Sequence, residues 1–153
     1  MSKVLLGEIR CQHREQHAAL AVAMQRVLSA ARDDAGVGLV SAWRELESRL
    51  TSHLELEQAS LFPWVEPHHA AQIREFRDEH ARLRALIAEV GTACNAHGVP
   101  RRAIEELAVR LEAHGRDEEA LLEGWLDEDA PADTRRHLAG LFVAMLRAEL
   151  HAH

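Results

Sequence analysis

In SHLELEQASLFPW, residues 52–64, and in AHGRDEEALLEGW, residues 113–125, a histidine is followed four residues later by a glutamate. On a helix that spacing puts both side chains on one face, about one turn apart. The rest of each face is apolar: Trp43, Leu46, Leu50, His53, Glu57, Leu61, Trp64 in one segment and Ile104, Leu107, Leu111, His114, Glu118, Leu122, Trp125 in the other. Both alternate steps of three and four, the signature of a buried stripe. Histidine and glutamate thus stand where leucine belongs. An uncompensated charge in a helical core costs on the order of several kcal/mol, so these groups need a partner. Imidazole nitrogens and carboxylate oxygens are metal donors, and a cation bound to their lone pairs removes that cost.

Two further stripes supply matching histidines. One reads His13, His17, Leu20, Met24, Val27, and the other Ile73, Phe76, His80, Leu83, Ile87, Val90, Cys94. The chain also repeats itself. RDEHARLRALIAEV from Arg77 matches REQHAALAVAMQRV from Arg14, and LEAHGRDEEALLEGW from Leu111 matches LTSHLELEQASLFPW from Leu50. His80 then corresponds to His17, His53 to His114, Glu57 to Glu118 and Trp64 to Trp125. The two halves look like copies of one helical hairpin, and the polar residues on the stripe are what the copies share.

The elements that must carry these groups are long helices. Glycine and proline are sparse and strand signals nearly absent, and the breakers divide the chain into helices over about 3–32, 38–65, 67–96 and 100–127. Pro63 is expected to bend or end the second helix, and Pro67 to open the next element. A shorter helix is expected over about 130–150. The expected fold is an all-α, up-down-up-down antiparallel four-helix bundle with a short C-terminal fifth helix, in one domain spanning 1–153. About the first turn, near residue 35, His17 and His53 are equally distant, as are His13 and Glu57. About a turn near residue 99, His80 and Glu118 are equally distant. With a rise of about 1.5 Å per residue, these groups fall into one slab of the bundle.

Composition narrows the partners. The 153 residues carry a formal net charge of −7, Lys occurs once, and no basic block points to nucleic acid. No apolar run reaches transmembrane length and no signal peptide opens the chain, so a cytoplasmic protein is expected. Cys11 and Cys94 read as reduced, small hydrophobes rather than a disulfide. Eleven histidines with no tyrosine is the outlying feature.

The order His17 … His53-L-E-L-Glu57 … His80 … His114-G-R-D-Glu118, followed after the first pair by Leu61-Phe-Pro63, resembles the hemerythrin-like (HHE cation-binding) family over roughly residues 8–126. The resemblance implies a non-haem centre of two iron ions (Fe2+/Fe3+), bridged by the carboxylates of Glu57 and Glu118 and open to an oxo or hydroxo bridge. His17, His53, His80 and His114 are the terminal ligands it implies. Two departures stand out. Oxygen-carrying members place two histidines four apart on the third helix, where this chain has Phe76 before His80; His13 and His17 on the first helix are spaced that way instead, making His13 a candidate additional ligand. Those carriers also have a five-residue step from His to Asp on the fourth helix. Here the repeat selects Glu118, with Glu119 as its rival at the five-residue step.

A site with this many neutral imidazoles and only two carboxylates holds Fe(II) without strong anionic push, which favours binding O2 or NO, or sensing iron, over oxygen insertion. A binding protein rather than an enzyme is therefore expected, with a homodimer left open. Three other readings compete. One is a di-iron redox enzyme acting on peroxide or NO, or in iron–sulfur repair; the cysteine-bearing N-terminal extension of some repair members is not seen here. Another is an interaction module with structural zinc, although zinc takes four ligands and this chain offers more. The third is a metal-free core network of ion pairs, which the duplication would require twice. His68, His69, His97, His137, His151 and His153 are expected at helix ends or in the tail, exposed to solvent.

Overall fold

A computed structural model describes the chain over residues 3–33, 36, 38–128, 132–133, 136–137 and 140. All secondary structure among these residues is helical. Helix α1 is Lys3–Arg32, α2 Leu39–Leu56, α3 Phe62–Val65, α4 Ala70–Asn95 and α5 Arg101–Glu128, and a π-helical turn, Glu57–Leu61, joins α2 to α3. The four long helices form a ring in which α1 packs on α2 and α5, and α4 packs on α2 and α5.

The expected stripes are the surfaces that meet. Leu20, Met24 and Val27 of α1, Trp43, Leu46 and Leu50 of α2, Leu83, Ile87 and Val90 of α4 and Ile104 and Leu107 of α5 are buried in one cluster. Burying each such side chain contributes about 1.5–3 kcal/mol, and this apolar layer clamps the four helices together on one side of the polar slab. Contacts between neighbours run in opposite directions along the chain. Ala30 lies against Gly38, Arg26 bonds Glu45, and His17 faces His53, so numbers fall along α1 as they rise along α2. Likewise Trp43 lies against Gly91 and Glu57 against His80.

Where α4 ends, the chain turns left-handed at His97, with φ of 59°. The His97 N–H donates to the Cys94 carbonyl and the Gly98 N–H to the Ala93 carbonyl at 2.8 Å, closing a Schellman cap. The helix begins at Ala70, three residues later than expected, because His69 takes a non-helical φ of −139° and Pro67 sits in the turn before it.

The second helix departs from expectation more sharply. Pro63 has no N–H to give to the carbonyl four residues back. Instead the Phe62 N–H bonds to the Glu57 carbonyl, five residues back, and one residue is inserted into the turn. That insertion rotates everything beyond it. Trp64, expected on the buried stripe, is 37% exposed, while Phe62 and Val65 are buried in its place. Trp125, its partner in the repeat, lies outside the residues whose side chains are described. The expected fifth helix also falls largely outside them. Ala132, Asp133, Arg136, His137 and Gly140 have helical backbone, and the His137 ring stacks on Trp64 with centroids 3.7 Å apart.

Candidate metal centre

Just beyond the apolar layer, the four helices turn polar side chains inward. Helix α1 supplies His13 and His17, α2 His53, the π-turn Glu57, α4 His80, and α5 His114 and Glu118. All are buried except His17, which is partly exposed. The seven side chains proposed from sequence thus converge, and the π-turn begins on one of them.

The convergence has two halves. One ligand atom each from His13, His17, Glu57 and Glu118 lie within 4.8 Å of one another, and the same holds for Glu57, His80, His114 and Glu118. The two carboxylates belong to both groups. Glu57 Oε2 lies 3.0 Å from His80 Nε2 and 3.6 Å from His114 Nε2, while its Oε1 touches His53 Nε2. Glu118 Oε1 lies 2.8 Å from His13 Nε2 and 3.6 Å from His17 Nε2, and its Oε2 lies 3.3 Å from His114 Nε2. His53 stands outside both groups of four but within 3.3 Å of His17 Nε2.

Hydrogen bonding does not account for this packing. Both Glu57 oxygens and Glu118 Oε2 are buried without a hydrogen-bond partner, although imidazole nitrogens surround them. His80 Nε2 faces His114 Nε2 at 3.1 Å, and His17 Nε2 faces His53 Nε2 at 3.3 Å. A proton that bridges each facing pair of nitrogens is one that the carboxylate oxygens beside them do not receive. A cation satisfies what protons cannot, and the donor set is one that fits a metal ion.

The electrostatics point the same way. Burial lowers the affinity of His17 for a proton, but hydrogen bonds and charge from Glu118 and Glu57 outweigh it and raise its pKa to about 10. The same balance, with the same carboxylates, brings His114 to about 10. Burial pushes Glu57 up, yet the charge of His53 and the close imidazoles of His114, His17 and His53 hold it well below the usual carboxylate range. Burial and the neighbouring Glu57 push Glu118 up, and the bonds from His114, His13 and His17 bring it down to about 2. Without metal, His17 and His114 hold protons as counter-charges to two buried carboxylates. A divalent cation replaces those protons.

Glu119, the rival to Glu118, is not among these converging atoms. Its Oε1 lies 2.9 Å from Nδ1 of His17, on the side of the ring away from the slab. Phe76, standing where an additional ligand on α4 was sought, packs edge-on against His114 at 5.6 Å and stacks with Phe62, which lies over His80 at 4.9 Å. The two halves therefore have different walls. A groove of about 760 Å³ between α1 and α5, lined by Ala18, Leu20, Ala21 and Met24, reaches inward to His17, His53 and His114. Neither the π-turn nor the burial of Phe62 was found from sequence; Pro63, six residues after a candidate ligand, was the signal available.

The chain belongs to the hemerythrin HHE cation binding domain family, which it matches over residues 5–126. No curated protein and no solved structure matches it. Family and geometry together make it a metal-binding, hemerythrin-like protein of bundled helices. No described helix is long and apolar enough to cross a membrane.

Proposed function

We propose that this chain is a single-domain, cytoplasmic di-iron protein that binds O2 or NO, or senses iron, rather than an oxygen-inserting enzyme. The observation that carries the reading is the pair of four-residue donor groups sharing Glu57 and Glu118. In it, His17 and His53, with His13 as the additional imidazole, would hold one iron, His80 and His114 would hold the other, and Glu57 and Glu118 would be shared between them. The opposed direction of contacts between neighbouring helices supports an up-down-up-down bundle as the frame. Bound iron would supply a change of oxidation state and a coordination position for a diatomic ligand.

What the protein contributes can be read from its own residues. Each group of four brings two imidazoles, and with His53, 3.3 Å from His17, counted beside the first, the shortage of donors falls in this reading on the His80 and His114 half. Phe62 and Phe76 wall that half with apolar rings, which keeps water away and suits a small, weakly polar ligand. The largely apolar groove between α1 and α5 reaches His114 of that half as well as His17 and His53, and so would give such a ligand a way to the centre.

The test is metal content and visible absorption after anaerobic loading with Fe(II). Two irons per chain, and a band that appears with O2 or NO and fades on degassing, is the expected result. A band that persists would replace ligand carriage with iron sensing or with peroxide or NO reduction, which turnover with a reductant would then reveal. One colourless metal per chain, held as well by zinc as by iron, would sink the di-iron reading.

A further inference from the structure

The internal repeat makes the two halves of the site comparable position by position, and three of the places where the copies differ bear on the surroundings of the histidines. His13 on α1 corresponds to Phe76 on α4. Gly115 corresponds to Leu54, and Glu119 to Gln58. In the first half, the Glu119 carboxylate meets Nδ1 of His17 at 2.9 Å. In the second, Gln58 is engaged elsewhere, accepting a bond from Arg84 at 2.9 Å, and Nδ1 of His80 is buried without a partner.

Gly115 completes the arrangement. A Cβ there would stand 3.3 Å from Nδ1 of His17, closer than side chains ordinarily come, so the glycine lets the imidazole lie flat against α5. Its counterpart Leu54 carries a full side chain and is fully buried. Glycine one turn before Glu119 therefore opens the line between Nδ1 and the carboxylate. The geometry points to Glu119 as a positioning residue: it holds His17 through Nδ1 so that Nε2 faces Glu57 and Glu118, and makes the His17 half the tighter of two unequal metal positions.

A carboxylate on the outer nitrogen fixes the ring's tautomer and orientation and raises its strength as a donor. Losing such a partner costs about 10–100-fold in metal affinity. The pair His17–Glu119 has this form, whereas Nδ1 of neither His80 nor His114 finds a partner. This inference rests on the dinuclear reading above, and the experiment keeps the two apart.

The probe is Co(II), titrated into the metal-free protein against a competing chelator and followed by its visible absorption. Wild-type protein should take two Co(II) in two resolved steps. Glu119→Ala should weaken the first step about 10–100-fold and leave the second in place, so that the steps merge. Glu119→Gln keeps an oxygen able to accept Nδ1–H and should restore most of the first step. Melting of the metal-free variants controls for folding. Wild-type affinities in Glu119→Ala would overturn the positioning role. So would loss of one Co(II) outright in both variants, which would make Glu119 a ligand. Equal weakening of both steps in Glu119→Ala would overturn it too, as a general effect on the fold. Fewer than two Co(II) in the wild type would instead refute the dinuclear reading, and the inference with it.

Discussion

Raising the pH should weaken the metal-free protein and leave the loaded protein firm. The direction follows from His17 and His114, whose pKa values rise from 6.5 to about 10 on folding. A group whose folded pKa is raised stabilises the fold fully below its unfolded value, and that stability is lost as pH climbs through the folded value. Between 6.5 and 10 each histidine binds up to one more proton in the folded than in the unfolded chain, a slope of about 1.4 kcal/mol per pH unit. From pH 7 to 9 the two together remove at most about 5 kcal/mol, a large share of the ~5–15 kcal/mol that holds a domain together. Water entering the slab screens part of this, so a fall of roughly 5–15 °C in melting temperature is the working figure. Glu57 and Glu118, held low, act in the opposite sense: their contribution is present above about 4.5 and is lost on acidification. Metal-free protein should therefore be most stable between about pH 4.5 and 6.5. Metal replaces the protons, so its affinity should rise with pH and the loaded protein should not share the alkaline fall. Thermal melts of both forms in low salt, from pH 5.5 to 9, measure this directly. A metal-free melting temperature that is flat or rising across that range would refute the assignment of His17 and His114 as proton-holding counter-charges.

Other perturbations separate the parts of the site. Glu57→Ala removes the carboxylate common to both halves and should cost both metals, whereas His80→Ala should weaken one and spare the other; metal counting after desalting distinguishes them. Gly115→Ala puts a methyl 3.3 Å from Nδ1 of His17 and should lower affinity for the metal in that half, seen as a weakened first step in a Co(II) titration. His97→Gly relieves a left-handed residue at the end of α4 and should raise the melting temperature, by about 0.5–1 kcal/mol of stability, with metal content unchanged. Leu83→Ala, at a fully buried core position, should cost about 2–5 kcal/mol in chemical denaturation while the metal donors stay in place.

Much of this was legible because helix periodicity is a local property. Leu46, Leu50, His53 and Glu57 share a face whatever surrounds them, and so do Leu107, Leu111, His114 and Glu118, so donors on a buried stripe could be picked out by spacing. Legibility failed where one residue changed the phase. Extrapolating the α2 stripe put Trp64 inside, but the turn that Pro63 forces at Glu57–Leu61 carried Phe62 and Val65 in instead. A proline announces a disturbed hydrogen bond; it does not say whether the helix will stop, kink or take up a π-turn.

Glu118 and Glu119 show the other limit. Both follow His114 at a spacing that a helix can use, and the repeat alone favoured Glu118. The rotation of α5 against α1 separated them, turning Glu118 toward the shared slab and Glu119 toward the back of His17. By itself, then, the sequence determined which helices form, which of their faces are buried and which residue types those faces carry, since each depends on neighbours three and four apart. The tertiary structure decided which nitrogen meets which oxygen, that the two halves are unequally built, and that Gly115 lets His17 approach α5. Those depend on distances between helices that adjoin in space and not in sequence, and a repeat of 3.6 residues carries no information about them.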